Sequence, residues 1–493
     1  MGGVWKGDGD CKKNKGDGVM IGCKKDQIWE ILIIPITAIV CVAIKPYLSI
    51  NQTTTYYVAL FSLLICEALL IVYDLKYGLD IFEPLTIISC IYVVMYFVAP
   101  INDLASGELL WFGYDLYEMG AKTTLYALIG YLVFYINYTK EFRIGKHRIG
   151  KQDLRIRIIS SFPEIRLQNI NPVTYILTGY IFCFAANVYY LKKYQGSGLL
   201  YMLTAGMIGT GNLQKSSADI GFISMFSYCL PTFVLLYWDI GKSRVLKFLL
   251  FLPMFMLQVS RGFRFIIIQI VVTFFSYYYL KKKRRPKLFS IIVAGIGLMV
   301  PIVIMTLFRN SMRGGHGIDL TSINQERIKY ALDAAIWENF RIYKNFYGIV
   351  EAVPQRYPFV YLRQILLGTI IMVVPRIVWP NKLSTQAGMS LDVLIGRNFY
   401  GTGQAYPNLG EYYYAMGVAG IVFFMAIYGI WAKKMKKLYT KSDITGIDII
   451  YYSTLLGTNL QLIIRGYTPS NFWYLLFSVL PVWCYKIISS QKR

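Results

Sequence analysis

The chain has 493 residues, 56% hydrophobic and 16% charged, with a mean hydropathy of +0.45. Soluble domains carry about 25% charged residues, so the composition excludes an ordinary soluble domain and indicates a membrane protein. A net charge of +24 would suit nucleic acid in a soluble chain; in a membrane protein it serves largely to hold loops on the cytoplasmic side, and no nucleic-acid partner is expected.

Residues 1–27 are rich in Gly and Lys and read as a disordered basic cytoplasmic tail, with no cleavable signal ahead of the first apolar run. Crossing the hydrocarbon core takes about 20 apolar residues. Predicted spans centre on 28–44, 56–74, 83–99, 119–138, 173–191, 219–238, 246–259, 264–280, 288–307, 411–432, 447–464 and 471–488. The expected fold class is therefore an all-α polytopic integral membrane protein of about 12 transmembrane helices. The expected division is the tail, nine helices in 28–307, a large external loop at 308–410, and three helices with a short cytoplasmic C-terminus at 411–493.

Positive charge marks cytoplasmic loops. The tail, the stretch from Lys140 to Arg166, "KKKRRPK" at 281–287, "KKMKK" at 433–437 and the final "QKR" all fall on one side of twelve spans, with both termini inside. Residues 308–410 then lie outside, yet carry eleven basic against six acidic residues. Topogenesis does not account for external arginines, whereas an anionic ligand at the outer face does.

In chain order, Glu67 sits in mid-span in "LLICEALL"; it reads as a functional intramembrane carboxylate or as a hydrogen-bonding partner of a neighbouring helix. "QVSRGFRF" (258–265) places Arg261 and Arg264 at the outer start of a span. They either snorkel to headgroups or form a guanidinium pair for pyrophosphate, a task suited to the rigid two-donor fork at a helix N-terminus. Arg309, Arg313, Arg376, Lys382 and Arg465 also fall near outer helix ends. His316 in "FRNSMRGGHGIDL" is a solvated loop histidine, a general base or a phosphate contact. Residues 321–352 are predicted as one amphipathic helix on the outer interface or on the bundle, capped by Thr321 or Ser322, with Ile328, Leu332, Ile336, Phe340, Tyr343, Tyr347 and Val350 at helical spacing. "LLGTIIMVVP" (366–375) is too short to span and reads as re-entrant or interfacial.

"GTGQAYPNLGEYYYAMGVAG" (401–420) is polar, then apolar. Asn408 and Glu411 have the spacing of an N-cap and its box partner; Glu411 is equally placed to take a sugar hydroxyl's proton. Gln404, Tyr406, Asn408 and Tyr414 are candidate glycan contacts. Tyr412, Tyr413 and Tyr414 read as stacking platforms or, for at least two of them, as an aromatic belt. Gly417 and Gly420 suit close helix packing. The eight cysteines have no metal spacing and read as bland thiols. There is no P-loop, dinucleotide fingerprint, CxxC or HExxH, and neither metal nor cofactor is expected.

The order of these motifs resembles the O-antigen polymerase family, the oligosaccharide repeat unit polymerases. The resemblance lies in "SRGFRFIIIQ" opening an outer-to-inner helix, one dominant external loop ending in "PRIVWPNKLSTQAG", then "YPNLGEYYYAMGVAGIVFF" and a basic turn, and it covers about 250–490. It implies a membrane glycosyltransferase architecture related to the glycan ligases, at the outer face of the bacterial inner membrane. It further implies transfer of a glycan from undecaprenyl pyrophosphate to a hydroxyl of the next lipid-linked repeat unit, without a nucleotide sugar. Donor and acceptor are then both lipid-linked glycans, and a flippase and a chain-length regulator are the pathway partners. Arg261, Arg264, Arg313 and Arg376 would hold pyrophosphate, with Glu411 or His316 as base. A glycan ligase and a lipid-linked oligosaccharide flippase are the alternatives, although transporters usually have two similar halves and only the second half here carries the long loop.

Overall fold

The computed structural model describes residues 51–76, 79–107, 110–111, 114–139, 171–195, 221–260, 264–314, 324–374, 378–379, 405–440 and 446–490. Fourteen helices organise them: α1 Gln52–Lys76, α2 Pro84–Ala105, α3 Leu116–Thr139, α4 Pro172–Gln195, α5 Phe222–Ile240, α6 Arg244–Ser260, α7 Arg264–Lys281, α8 Leu288–Gly314, α9 Gln325–Trp337, α10 Tyr343–Ala352, α11 Arg363–Val373, α12 Asn408–Tyr439, α13 Gly446–Ile464 and α14 Thr468–Ser490. One antiparallel hairpin pairs Leu110–Trp111 with Tyr114–Asp115.

Among the described residues, nine helices are long and apolar enough to cross a membrane: α1–α5, α8 and α12–α14. The predicted spans at 246–259 and 264–280 are α6 and α7, of 17 and 18 residues and roughly 25–27 Å long; they are not among the nine. The run at 28–44 lies outside the described residues. α2 widens into a π turn at Val94–Val98, because Pro100 has no N–H to give and its ring crowds the preceding turn.

The helices build two main apolar clusters. One joins α1, α2, α3, α10 and most of α12; the other joins α4, α5, α6 and α7 to α14. α7 lies against α13, and Gly457 permits the approach: a Cβ there would stand 2.8 Å from the Gln269 carbonyl.

Ion pairs sort the helix ends. Arg285 pairs with Asp80 at 3.4 Å and Lys436 with Glu83 at 2.8 Å, so the basic runs after α7 and within α12 meet the same α1–α2 loop. This is the basic end of the bundle. At the opposite end, α9, α10 and the turn between them cover the start of α7 and the ends of α2 and α13, and α11 packs on α14.

The helix predicted over 321–352 is two helices. Asn324 caps α9, its side chain accepting from Arg327 N at 2.8 Å; Thr321 and Ser322 lie outside the described residues. The chain tightens into successive turns at 338–342 before α10. The break divides the expected apolar stripe between the outside of the bundle and its core. Ile328, Leu332 and Ile336 are exposed, whereas Tyr343, Tyr347 and Val350 are buried. α11 has 11 residues, roughly 16 Å, too short to span. Trp473 of α14 donates to its Thr369 carbonyl at 2.7 Å.

α12 is a hairpin rather than one helix with a polar mouth. Met416 and Gly417 leave helical geometry, Gly417 at φ +64°, a conformation that favours glycine. The short arm 408–415 then folds back along the long arm. Tyr412 stacks on Phe424 at 4.8 Å, and Asn408 reaches the Met425 sulfur at 3.8 Å. Gly420 allows this closeness, since a Cβ there would lie 2.1 Å from the Tyr412 carbonyl oxygen.

Candidate active site

The short arm of α12 departs from the sequence reading. Pro407 occupies the N-cap position and Asn408 is already helical, so no capping box forms. Asn408 instead accepts from Leu409 N at 2.9 Å. Glu411 crosses to the next turn of structure: its carboxylate accepts from Thr468 N at 2.8 and 2.9 Å and from Thr468 Oγ1 at 2.7 Å. A carboxylate on the first N–H of α14 opposes that helix's positive end. Glu411 is 2% exposed, and in this position it ties two chain segments together.

Other bonds tighten the tie. Gly466 N donates to the Tyr406 carbonyl at 2.7 Å, Asn345 of α10 donates to the Ala405 carbonyl, and Asn471 donates to the Arg465 carbonyl at 2.8 Å. The Tyr406 ring lies flush on Gly466, where a Cβ would come within 2.6 Å. Burial and the adjacent Glu411 charge push the Tyr406 phenol well above its usual range. Tyr412, Tyr413 and Tyr414 are all buried, so they form no aromatic belt toward headgroups. Tyr413 stacks on Tyr126 at 5.5 Å, and the Tyr414 carbonyl accepts from Val360 N at 3.1 Å.

What this tie presents is Arg465, at the head of the α13–α14 turn. Its guanidinium carbon sits 4.9 Å from the Phe265 ring centre, and Nη2 donates to Asn339 Oδ1 at 3.3 Å. Arg264, beside Phe265, is buried at the start of α7. Its Nη1 donates to the Ala334 carbonyl at 2.8 Å and its Nη2 to Glu338 Oε2. Two arginines, one from α7 and one from the α13–α14 turn, are thus held by adjacent residues, Glu338 and Asn339, in the turn between α9 and α10. A recess of about 20 Å³ opens beneath, lined by Phe265, Gln269, Asn339, Gln461 and Arg465 among others, which is room for about one water. Gln269 donates to Gln461 at 2.9 Å and accepts from the Tyr474 phenol, so two amides and a hydroxyl from three helices floor the site.

A second polar cluster anchors the same turn. Asp103, 1% exposed at the end of α2, accepts from Arg341 Nε at 3.0 Å, Lys344 Nζ at 2.9 Å and Tyr343 OH at 2.7 Å. Burial, with Tyr347 and Asp103 alongside, pushes the Tyr343 phenol well above its usual range, which keeps it a donor to Asp103 at neutral pH. Arg341 also reaches Asp333 at 2.8 Å.

The family model for O-antigen polysaccharide polymerase Wzy matches residues 28–493. The chain belongs to that family. It is a multi-pass membrane protein that polymerises repeat units in O-antigen synthesis, and nothing in the match or the fold favours a ligase or a flippase. No curated protein and no solved structure matches it.

In this Wzy-family polymerase, the predicted residues Arg264 and Arg465 come together, Tyr406 and Glu411 build the support behind Arg465, and Asn408 bonds within α12. Arg309 and Arg313 lie on α8, which packs against α9, but their side chains fall outside the described residues. Arg261, His316, Arg376, Lys382 and Gln404 also lie outside them. Glu67 is fully buried in α1, and neither of its oxygens has a hydrogen-bond partner. Glu338, Asn339, Gln269 and Gln461 were missed. The two glutamines carry a visible signal, an amide inside an apolar helix, alone in α7 and two residues after Asn459 in α13; Glu338 and Asn339 show no such contrast with their neighbours.

Proposed function

We propose that this polymerase transfers the growing glycan from undecaprenyl pyrophosphate to a hydroxyl of the next lipid-linked repeat unit. The transfer takes place at the outer face of the bacterial inner membrane. The end bearing α9, α10 and α11 is the outer end, and the basic end is cytoplasmic, by the positive-inside rule. The observation that carries this reading is the convergence of Arg264 and Arg465 on Glu338 and Asn339. Negative charge develops on the leaving pyrophosphate, and fixed cations aimed there stabilise the transition state, one donor being worth about 10²–10³ in rate. Arg261, Arg309, Arg313, Arg376 and Lys382 are further cations for the same lipid pyrophosphate. Gln404 is a proposed glycan contact, Tyr406, Asn408, Tyr414 and Glu411 are buried and shape the site from behind, and His316 is a candidate phosphate contact. A flippase supplies the substrate and a chain-length regulator acts on the product.

The test is product size from purified protein in detergent, given one synthetic undecaprenyl-pyrophosphate repeat unit and no nucleotide sugar. A ladder spaced by one repeat unit, with undecaprenyl pyrophosphate released in step, is the expected result. Unchanged substrate from folded protein overturns the reading.

A further inference from the structure

We propose that Glu338 is the general base of the polymerisation, and that donor pyrophosphate displaces its carboxylate from Arg264. This assignment rests on the lipid-pyrophosphate reading above. A base for a sugar hydroxyl needs an oxygen able to accept, access from water, and a position beside the leaving group. Glu411 is 2% exposed with its oxygens on Thr468. Glu338 has a side chain 41% exposed and touches the guanidinium of a candidate pyrophosphate ligand. Its neighbour Asn339 holds the other, Arg465.

The two bonds of Arg264 make the exchange possible. Nη1 is fixed on the Ala334 carbonyl at 2.8 Å, while Nη2 meets Glu338. The guanidinium therefore keeps its position when the carboxylate leaves, and Nη2 turns to a phosphate oxygen. Pyrophosphate carries more charge than one carboxylate and presents oxygens at the spacing of the fork. The acceptor hydroxyl oxygen then forms a bond to the anomeric carbon of the donor, and the bond from that carbon to the pyrophosphate oxygen breaks. The hydroxyl proton passes to Glu338 and later to water, and the electron pair of the broken bond leaves with the lipid pyrophosphate, held by Arg264 and Arg465.

Among the described residues, the charged groups next to Glu338 are Arg264 from α7 and Arg465 of the α13–α14 turn by way of Asn339; Arg341, three residues on, is held by Asp333 of α9 and Asp103 of α2. Arg309 and Arg313 belong to α8, which packs on α9.

The experiment uses the full-length protein in detergent with the synthetic undecaprenyl-pyrophosphate repeat unit. Glu338→Gln should lower kcat by about 10²–10⁴-fold, leave the donor KM unchanged or lower, and abolish the acid limb of the kcat/KM profile against pH. In Glu338→Ala, added formate should restore turnover. Wild-type turnover in Glu338→Gln overturns the proposal. So does a folded Glu338→Gln that keeps the acid limb, or a folded Glu338→Ala that formate does not rescue. If only Glu338→Ala fails to fold, Glu338→Gln decides by its rate and pH profile; loss of folded protein in both marks Glu338 as structural and also overturns the proposal. A wild-type protein that makes no ladder overturns the polymerisation chemistry itself, whereas a wild-type ladder matched by Glu338→Gln removes only Glu338.

Discussion

Arg264 and Arg465 are built into different surroundings, a carboxylate and a carbonyl for the first and an amide and a phenyl face for the second. Arg465→Ala is expected to slow polymerisation by about 10²–10³-fold with little change in thermal stability, measured as product per time and Tm in detergent. Arg264→Lys should not restore Arg264→Ala, because an ammonium cannot hold the Ala334 carbonyl and a phosphate oxygen in one planar fork. Glu411 behaves oppositely. Glu411→Gln puts an amide before the Thr468 donors, and a hydrogen bond to a charged group is worth about 1.5–3 kcal/mol, so Tm should fall clearly; unchanged Tm with lost turnover would make Glu411 a base. Glu67→Leu should raise Tm, because an unsatisfied buried polar group costs about 1–3 kcal/mol and leucine has none. The arginines were legible in sequence because a charge at the edge of an apolar run stands out. Their partners were not: Glu338 is 74 residues from Arg264, and Asn339 is 126 from Arg465, distances over which local pattern carries no information.

At the level of elements, the spans themselves were legible because hydrophobic length is a one-dimensional signal, and their packing was not. The α12 hairpin illustrates the difference. A helix-like run from Asn408 onward is readable, but the fold-back depends on Gly417 at φ +64° and on the contact of Gly420 with the Tyr412 carbonyl. Gly417→Ala should destabilise the protein by about 1–2 kcal/mol, and Gly420→Ala by more, since backbone must move; Tm of each variant checks this. The α9–α10 break is likewise set by contacts distant in sequence, Asp103 lying 238 residues from Arg341. Asp103→Ala leaves Lys344 buried without its carboxylate and should cost about 3–5 kcal/mol. Hydrogen exchange in α10 should rise in that variant, and unchanged protection there would remove Asp103 as the anchor.

Across the whole molecule, charge sorts the two ends. The basic runs meet on the α1–α2 loop through Asp80 and Glu83, as the alternation of predicted spans requires, and the arginine site lies at the far end against α9 and the α9–α10 turn. The arrangement places candidate cations where helices from both apolar clusters approach, α7 from one and the end of α13 from the other. The measurement that bears most directly on this account is product length from folded wild-type and folded Arg465→Ala protein, each given the synthetic undecaprenyl-pyrophosphate repeat unit. The account predicts a ladder spaced by one repeat unit from the wild type and almost wholly unconverted substrate from the variant; an equal ladder from both would contradict it.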